Sequence, residues 1–372
     1  MVPRRPARAA RRSGLRGEAA TREGKSGSAE PSRLARRLGT TDAVVIGLGS
    51  MIGAGVFAAI GPAARAAGNG LLVALVIAAF VAYCNATSSA QLAAVYPESG
   101  GAYVYGRKKL GPLWGFLAGW GFVIGKLASC AAMALTFGSY AAPSAARPLA
   151  VAAVVALTAV NYLGVQKTAL LTRVIVAVVL TSLAVVVTAV LFGGETDPAR
   201  LWPLTSADPY GILQAAGLLF FAFAGYARLA TLGEEVIDPA RTIPRAIPIA
   251  LAMTLVVYTV VAVSALLAVD ASVLAHSAAP LAVAVEAGRL AWLAPAVRIG
   301  ATVASLGVLL SLIVGVSRTI FAMASNRDLG FFAAVHPRYR VPHRAELGVG
   351  RGSWWPFGIS LPGWCPSFMF SR

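Results

Sequence analysis

Apolar residues recur along this chain in runs long enough to cross a bilayer, about 20 residues at 1.5 Å per residue, with short polar segments between them. The pattern predicts about eight spanning helices, over residues 42–67, 71–95, 113–141, 149–163, 169–192, 211–233, 247–268 and 294–323. The fourth is the shortest. The expected fold class is all-α integral membrane.

Two of these spans are interrupted. The first contains Val45-Ile-Gly-Leu-Gly-Ser-Met-Ile-Gly-Ala-Gly-Val-Phe57, with Gly47, Gly49, Ser50, Gly53 and Gly55 close to its middle. Each interior Gly costs a helix roughly 1 kcal/mol relative to Ala. Loose backbone at membrane depth is tolerated only where protein packs on it or it lines a cavity. The segment therefore reads as a broken helix, the device with which many secondary transporters build a substrate site; close packing through small residues is the competing reading. The sixth span carries Gly225 near its middle, flanked by Phe221, Phe223 and Tyr226. Interrupted spans five helices apart are the pairing expected of a five-plus-five inverted repeat.

Composition agrees with a membrane protein: 58% of residues are hydrophobic and 13% charged, against about 25% charged in soluble domains. The net charge of +17 does not signal nucleic acid, because much of it lies between Arg4 and Arg37, in a tail without apolar period. That tail, residues 1–37, reads as disordered and cytoplasmic, with an affinity for anionic lipid. The later loops alternate between basic (Arg107, Lys108 and Lys109; Lys167 and Arg173; Arg241 and Arg245; Arg327, Arg338, Arg340 and Arg344) and less basic, as the positive-inside rule requires of successive spans. The three cysteines and three histidines form no metal-ligand spacing. No phosphate-binding loop or hydrolase motif occurs, so neither cofactor nor enzymatic activity is expected.

Two cations fall inside predicted spans. Lys126 lies near the middle of the third, too deep for its stem to reach the headgroups. An intramembrane lysine should face the bundle or a wet cavity, which makes Lys126 a candidate coupling residue; its competing role is to cap carbonyls of a broken helix. Arg228, three residues past Gly225, is the second coupling candidate, with Glu234 as a possible partner. No Asp or Glu falls mid-span, which leans against a cationic substrate.

Four motifs, in order, carry a family resemblance. Gly-Ser-Met-Ile-Gly-Ala-Gly-Val-Phe57 resembles the first-helix signature of the amino acid–polyamine–organocation (APC) permeases. Tyr96-Pro-Glu-Ser-Gly-Gly-Ala-Tyr103 resembles their first cytoplasmic loop. Phe221-Ala-Phe-Ala-Gly-Tyr226, with Glu234-Glu235 and Asp238-Pro-Ala-Arg-Thr-Ile-Pro244, resembles their sixth helix and the loop after it. Ser317-Arg318 with Ala322-Met-Ala324 resembles the end of their eighth. The resemblance covers about residues 38–344 and implies a LeuT-type inverted-repeat bundle with broken helices 1 and 6. It implies secondary active transport of amino acids across the plasma membrane, by alternating access with proton coupling or exchange, in a multi-pass protein of a bacterial inner membrane. It places the substrate's α-carboxylate on the backbone of Ser50, Met51, Ile52, Gly53, Ala54 and Gly55. Carbonyls of Phe221, Ala222 and Ala224, beside Gly225, would take the α-ammonium, and Phe223 and Tyr226 would gate or line the side-chain pocket.

The chain departs from the family twice. Some relatives carry a lysine in the fifth helix in place of a sodium ion; the matching stretch here, Val174-Ile-Val-Ala-Val-Val-Leu180, has none. The transport domain is expected over residues 38–347 and incomplete, about eight of about twelve helices. Residues 348–372, with Arg351-Gly-Ser-Trp-Trp-Pro-Phe357, read as an aberrant, frameshifted tail. A nonfunctional fragment and an amino-acid sensor are therefore the competing functions; oligomeric state is not legible.

Overall fold

The computed structural model describes residues 38–53, 55–96, 100–163, 169–194, 196–204, 208–230, 236–329, 332 and 343–353. Helices account for nearly all of them: α1 (Thr40–Met51), α2 (Gly55–Ala67), α3 (Leu71–Val95), α4 (Ala102–Leu110), α5 (Pro112–Ala141), α6 (Ala146–Tyr162), α7 (Ala169–Gly193), α8 (Pro209–Phe223), α9 (Tyr226–Ala230), α10 (Pro239–Ala268), α11 (Ala271–His276), α12 (Pro280–Glu286), α13 (Ala294–Ser325) and α14 (His343–Gly352). Among the described residues the only β pairing is an isolated bridge, Leu38 to Val236.

The first and sixth spans each appear in two pieces, α1 with α2 and α8 with α9. Among the described residues six helical stretches are long and apolar enough to cross a membrane: Gly55–Val95, Pro112–Ala141, Pro143–Tyr162, Leu170–Gly193, Pro239–Ala268 and Ala291–Ser325; Pro209–Phe223 is apolar but shorter. The broken spans thus fall short of a full crossing piece by piece. Within Gly55–Val95 the chain turns at Gly68, whose φ of 53° lies in the left-handed region that glycine enters without steric cost.

Small residues let these helices approach closely. Along α3, Ala74, Ala78, Ala82, Ala86 and Ala90 recur every four residues, all buried; such a stripe lies on one face of a helix. Small-residue faces are how membrane helices pack in the absence of a hydrophobic drive between them. α3 packs against α8 and α10, α5 against α13, α4 and α6, and α7 against α13. Large apolar side chains face outward, among them Phe80, Trp114, Leu170, Phe192, Val256 and Ile299, as a lipid-facing exterior requires.

Two segments differ from the sequence pattern. α4 is a short helix in the loop after α3, read from the sequence as basic loop. Its Arg107 grips Asp328, past the end of α13, through both carboxylate oxygens (3.2 and 2.9 Å), and Tyr103 donates to the same carboxylate at 2.7 Å. Burial first, and that hydrogen bond second, push the Tyr103 hydroxyl up to about 12, so it remains a donor at physiological pH. The seventh span begins earlier than residue 247: α10 starts at Pro239 and contains Pro244 and Pro248. Proline lacks the N–H for the helical ladder, but in membrane helices neighbours satisfy the freed carbonyls. α14 runs through residue 348, where the sequence pattern changes; residues 1–37 and 354–372 lie outside the described residues.

Candidate functional site

The two helix breaks meet. α1 ends at Met51, and the Ile52 N–H closes on the Leu48 carbonyl at 2.7 Å. α8 ends at Phe223, and the Ala224 N–H is shared between the carbonyls of Phe220 (3.1 Å) and Phe221 (3.3 Å). A Cβ on Gly225 would collide with the backbone of Ser50. The second break therefore crosses the end of α1 backbone to backbone, which only glycine permits.

Tyr258 of α10 ties the breaks together. Its buried hydroxyl lies 2.6 Å from the Met51 carbonyl and 3.2 Å from the Ala222 carbonyl, and its ring packs on Phe223 at 5.1 Å between centroids. One hydroxyl proton shared by two carbonyls freed from two helices satisfies groups that would otherwise be buried without partners.

A cavity of about 340 Å³ opens beside this crossing, within the range for small-molecule sites. Its lining draws on α1, α2, α5, α8, α9 and α13. Of the expected site residues, Ser50, Met51, Gly55, Phe221, Ala222, Ala224 and Gly225 line it, together with Lys126 and Arg228. Ile52, Gly53, Phe223 and Tyr226 do not: all four are packed inside the bundle. Gly53 faces α13, where an added Cβ would collide with Val308 and stand 2.8 Å from the Gly49 carbonyl. Close helix packing, the competing reading of the glycine-rich segment, accounts for Gly53. Gly55 belongs to both readings, since a Cβ there would stand 2.6 Å from the Tyr258 hydroxyl and 2.8 Å from Ala222 Cβ while the residue lines the cavity. Ala54 and Glu234 lie outside the described residues.

Lys126 reaches the second break. Its Nζ donates to the Ala224 carbonyl at 3.3 Å and lies 5.8 Å from the centre of the Phe122 ring. Of the two roles weighed for this lysine the structure shows one: it caps a carbonyl of the broken helix, and it does so from the cavity wall. With Tyr258 on Ala222 and the Ala224 N–H on Phe221, each of the three carbonyls expected to take an ammonium already accepts a hydrogen bond. A carbonyl has two lone pairs, so Phe221 and Ala222 keep room for one more donor, whereas Ala224 also accepts from the Ala227 N–H at 3.4 Å.

Sequence reasoning missed Tyr258, Val308, Ser311 and Arg318. Arg318 stood in the quoted Ser317-Arg318 motif without a role; it lines the cavity, as do Ser311, Thr319 and Ser129. The hydroxyls of Ser50, Ser129, Ser311 and Thr319 all donate to carbonyls one turn back in their own helices, at 2.8, 2.9, 3.0 and 3.1 Å. Among the described residues no cluster of His, Cys, Asp and Glu could hold a metal ion.

The comparisons with known proteins agree with this architecture. The family model for amino acid permeases matches residues 42–349. An uncharacterized transporter of Mycobacterium tuberculosis is 65% identical over 86% of this chain and 73% of its own length. A branched-chain amino acid permease of Bacillus subtilis is 27% identical over 85% of this chain and 73% of its own. The human cationic amino acid transporter 4 is 30% identical over 85% of this chain and 54% of its own. The family and these relatives are transporters and not enzymes, and this multi-pass, all-helical chain belongs to the amino acid permease family.

Proposed function

We propose that this protein moves neutral or anionic amino acids across a bacterial plasma membrane by alternating access, with proton coupling or exchange, its N-terminus cytoplasmic. Amino acid transport is the function of the family. The observation that carries the finer reading is the cavity beside the two crossing breaks, lined by Lys126, Arg228 and Arg318 and by no Asp or Glu among the described residues. The named substrates of the relatives diverge, branched-chain in one and cationic in another, so the lining of this chain's own cavity is the better guide. A cationic substrate would enter a wall of like charge.

The α-carboxylate is assigned to the start of α2 at Gly55, where the first N–H groups of a helix lack intrahelical partners and the dipole favours an anion. Lys126 is assigned the coupling role. It supplies a positive charge at membrane depth where relatives use a fifth-helix lysine, and α7 has none in the matching stretch. Uptake of labelled leucine, alanine and glutamate into proteoliposomes, with and without an inward proton gradient, tests the reading. Gradient-stimulated or exchange-driven uptake of at least one is expected. Binding without flux would replace transport by sensing, and neither binding nor flux would leave a nonfunctional fragment. Lys126→Met is expected to flatten the pH profile of uptake, and Lys126→Arg to leave it flat, because Arg keeps its proton.

A further inference from the structure

We infer that Glu346, at the seam between α6 and α14, is a proton-binding site of this transporter, and that its protonation acts on the cavity through Arg318. Proton coupling at Glu346 presupposes the transport reading above and adds a second proton-binding group to Lys126.

α14 packs on α6 and α13, and two contacts set its register on α6. The His343 ring stands edge-on to Tyr162, with centroids 6.4 Å apart. A Cβ on Gly350 would stand 2.9 Å from the Thr158 hydroxyl. The two helices therefore run antiparallel, and Asn161 falls level with Glu346 between these contacts. All three polar side chains of the seam are buried: Thr158 is 8% exposed, Asn161 3% and Glu346 4%. Thr158 Oγ1, Asn161 Nδ2 and Glu346 Oε2 have no hydrogen-bond partner among the described residues. Buried polar atoms are paired as a rule. Three orphans along one seam are an exception that helix packing alone does not account for.

The carboxyl is the member of this trio that can change charge. A buried carboxylate with an unpaired oxygen is costly, and such a group takes up a proton instead. Glu346 belongs to none of the spanning stretches. Burial pushes its carboxyl up to about 7, and the Arg318 guanidinium draws it partly back. The neighbouring charged and titratable groups are Arg318 from α13, Tyr162 from α6, and His343 and Arg344 on α14 itself; Cys130 and Lys126 of α5 lie toward Ser353, at the other end of the helix. Of these, Arg318 is the one whose charge reaches Glu346, and Arg318 lines the cavity. When a proton adds to a carboxylate oxygen, the side chain goes from one negative charge to none. The field at the cavity wall then becomes more positive, whatever other partners Arg318 keeps. A carboxylate-bearing ligand in the cavity and a proton on Glu346 therefore favour each other's binding, and the coupling is reciprocal. Lys126 carries its charge inside the cavity and Glu346 behind the wall, so both are expected to be needed for proton-driven uptake.

Two measurements on the full chain test the site, one of them without transport. In detergent, melting temperatures of the parent and of Glu346→Gln are followed against pH. The folded carboxyl titrates above the unfolded one, so the folded state holds the extra proton and the parent loses stability as pH rises between the two values. The neutral variant escapes that loss. It is expected to gain on the parent between about pH 5 and about pH 7 and to hold the gain above that. The same gap in a His343→Gln background separates Glu346 from the neighbouring imidazole. A difference that does not change with pH would overturn the site. In proteoliposomes, labelled leucine, alanine and glutamate are offered with and without an inward proton gradient. Glu346→Gln is expected to keep exchange against internal substrate and to lose the stimulation by the gradient. Undiminished stimulation in Glu346→Gln would overturn the coupling role. If Glu346→Gln does not fold, Glu346→Asp should shift the pH midpoint of uptake, and an unshifted midpoint would overturn the role equally. A parent that carries none of the three substrates would overturn the transport reading, while the melting curves still report whether Glu346 binds its proton.

Discussion

Charges at the helix ends of this protein and charges around its cavity are arranged differently. At the ends, cations meet carboxylates: Arg107 with Asp328 at 2.9 Å, Arg298 with Glu286 at 2.9 Å, Arg241 with Asp238 at 3.7 Å, and Arg173 with Asp42. Around the cavity, Lys126 meets a backbone carbonyl, and the described lining offers no carboxylate at all. Ion pairs at the ends hold elements together at modest net energy, about 0–1 kcal/mol for exposed pairs. A cation at membrane depth costs energy to bury, which sets the cavity wall apart from the ends. The first arrangement fastens the bundle, and the second places three cations on the cavity wall.

Substitutions separate the two regions by which readout they move. The largest effect is expected at the crossing that creates the cavity: Gly225→Leu pushes a side chain into the Ser50 backbone, which has nowhere to move. Loss of both folded protein and uptake should follow, seen by size-exclusion of the detergent-solubilised variant; a monodisperse, transport-competent Gly225→Leu would break the account of the crossing. Next comes Lys126→Met, expected to lower uptake by about tenfold or more while leaving the melting temperature near that of the parent. A variant that unfolds would instead make Lys126 chiefly a cap on Ala224.

Tyr258→Phe follows. It removes a hydroxyl bridging the Met51 and Ala222 carbonyls, at a cost of about 1–3 kcal/mol for buried groups left without a donor. Lower thermal stability with reduced uptake is expected, and an unchanged melting curve would mean that water replaces the hydroxyl. The smallest effect belongs to the ends. Arg107→Ala should destabilise by no more than about 1 kcal/mol with an unchanged KM; a shift in KM there would erase the distinction between the two regions.

The sequence disclosed the breaks better than the wall. Gly53, Gly55 and Gly225 marked both interruptions because the helical penalty of glycine is local and does not depend on neighbours. Lys126 declared itself by its depth in an apolar run. The orientation of each helix was not legible. Along α3, α5 and α13 the apolar residues favour no single face, as in membrane-embedded helices, so no periodicity told which face meets the cavity. Phe223 and Tyr226, which the family resemblance made gate or pocket-lining residues, pack inside the bundle, Phe223 against Tyr258, while Phe221, two residues earlier, lines the cavity. Tyr258 itself sits in an unremarkable apolar stretch, and its role exists only because α10 crosses both breaks. α4 was hidden by its polarity, which is that of a loop until Arg107 and Tyr103 dock on Asp328.

The positive sign of the cavity is the central claim, and it can be read without knowing the substrate. Ser311→Cys places a thiol on the cavity wall in a background where Cys84, Cys130 and Cys365 are replaced. Its reaction rates with an anionic and a cationic methanethiosulfonate, each divided by the rate with a free thiol, report the local potential. The account predicts that the anionic reagent is favoured, that Lys126→Met narrows the preference, and that added salt narrows it as well. A preference for the cationic reagent, or one that Lys126→Met leaves untouched, would contradict it.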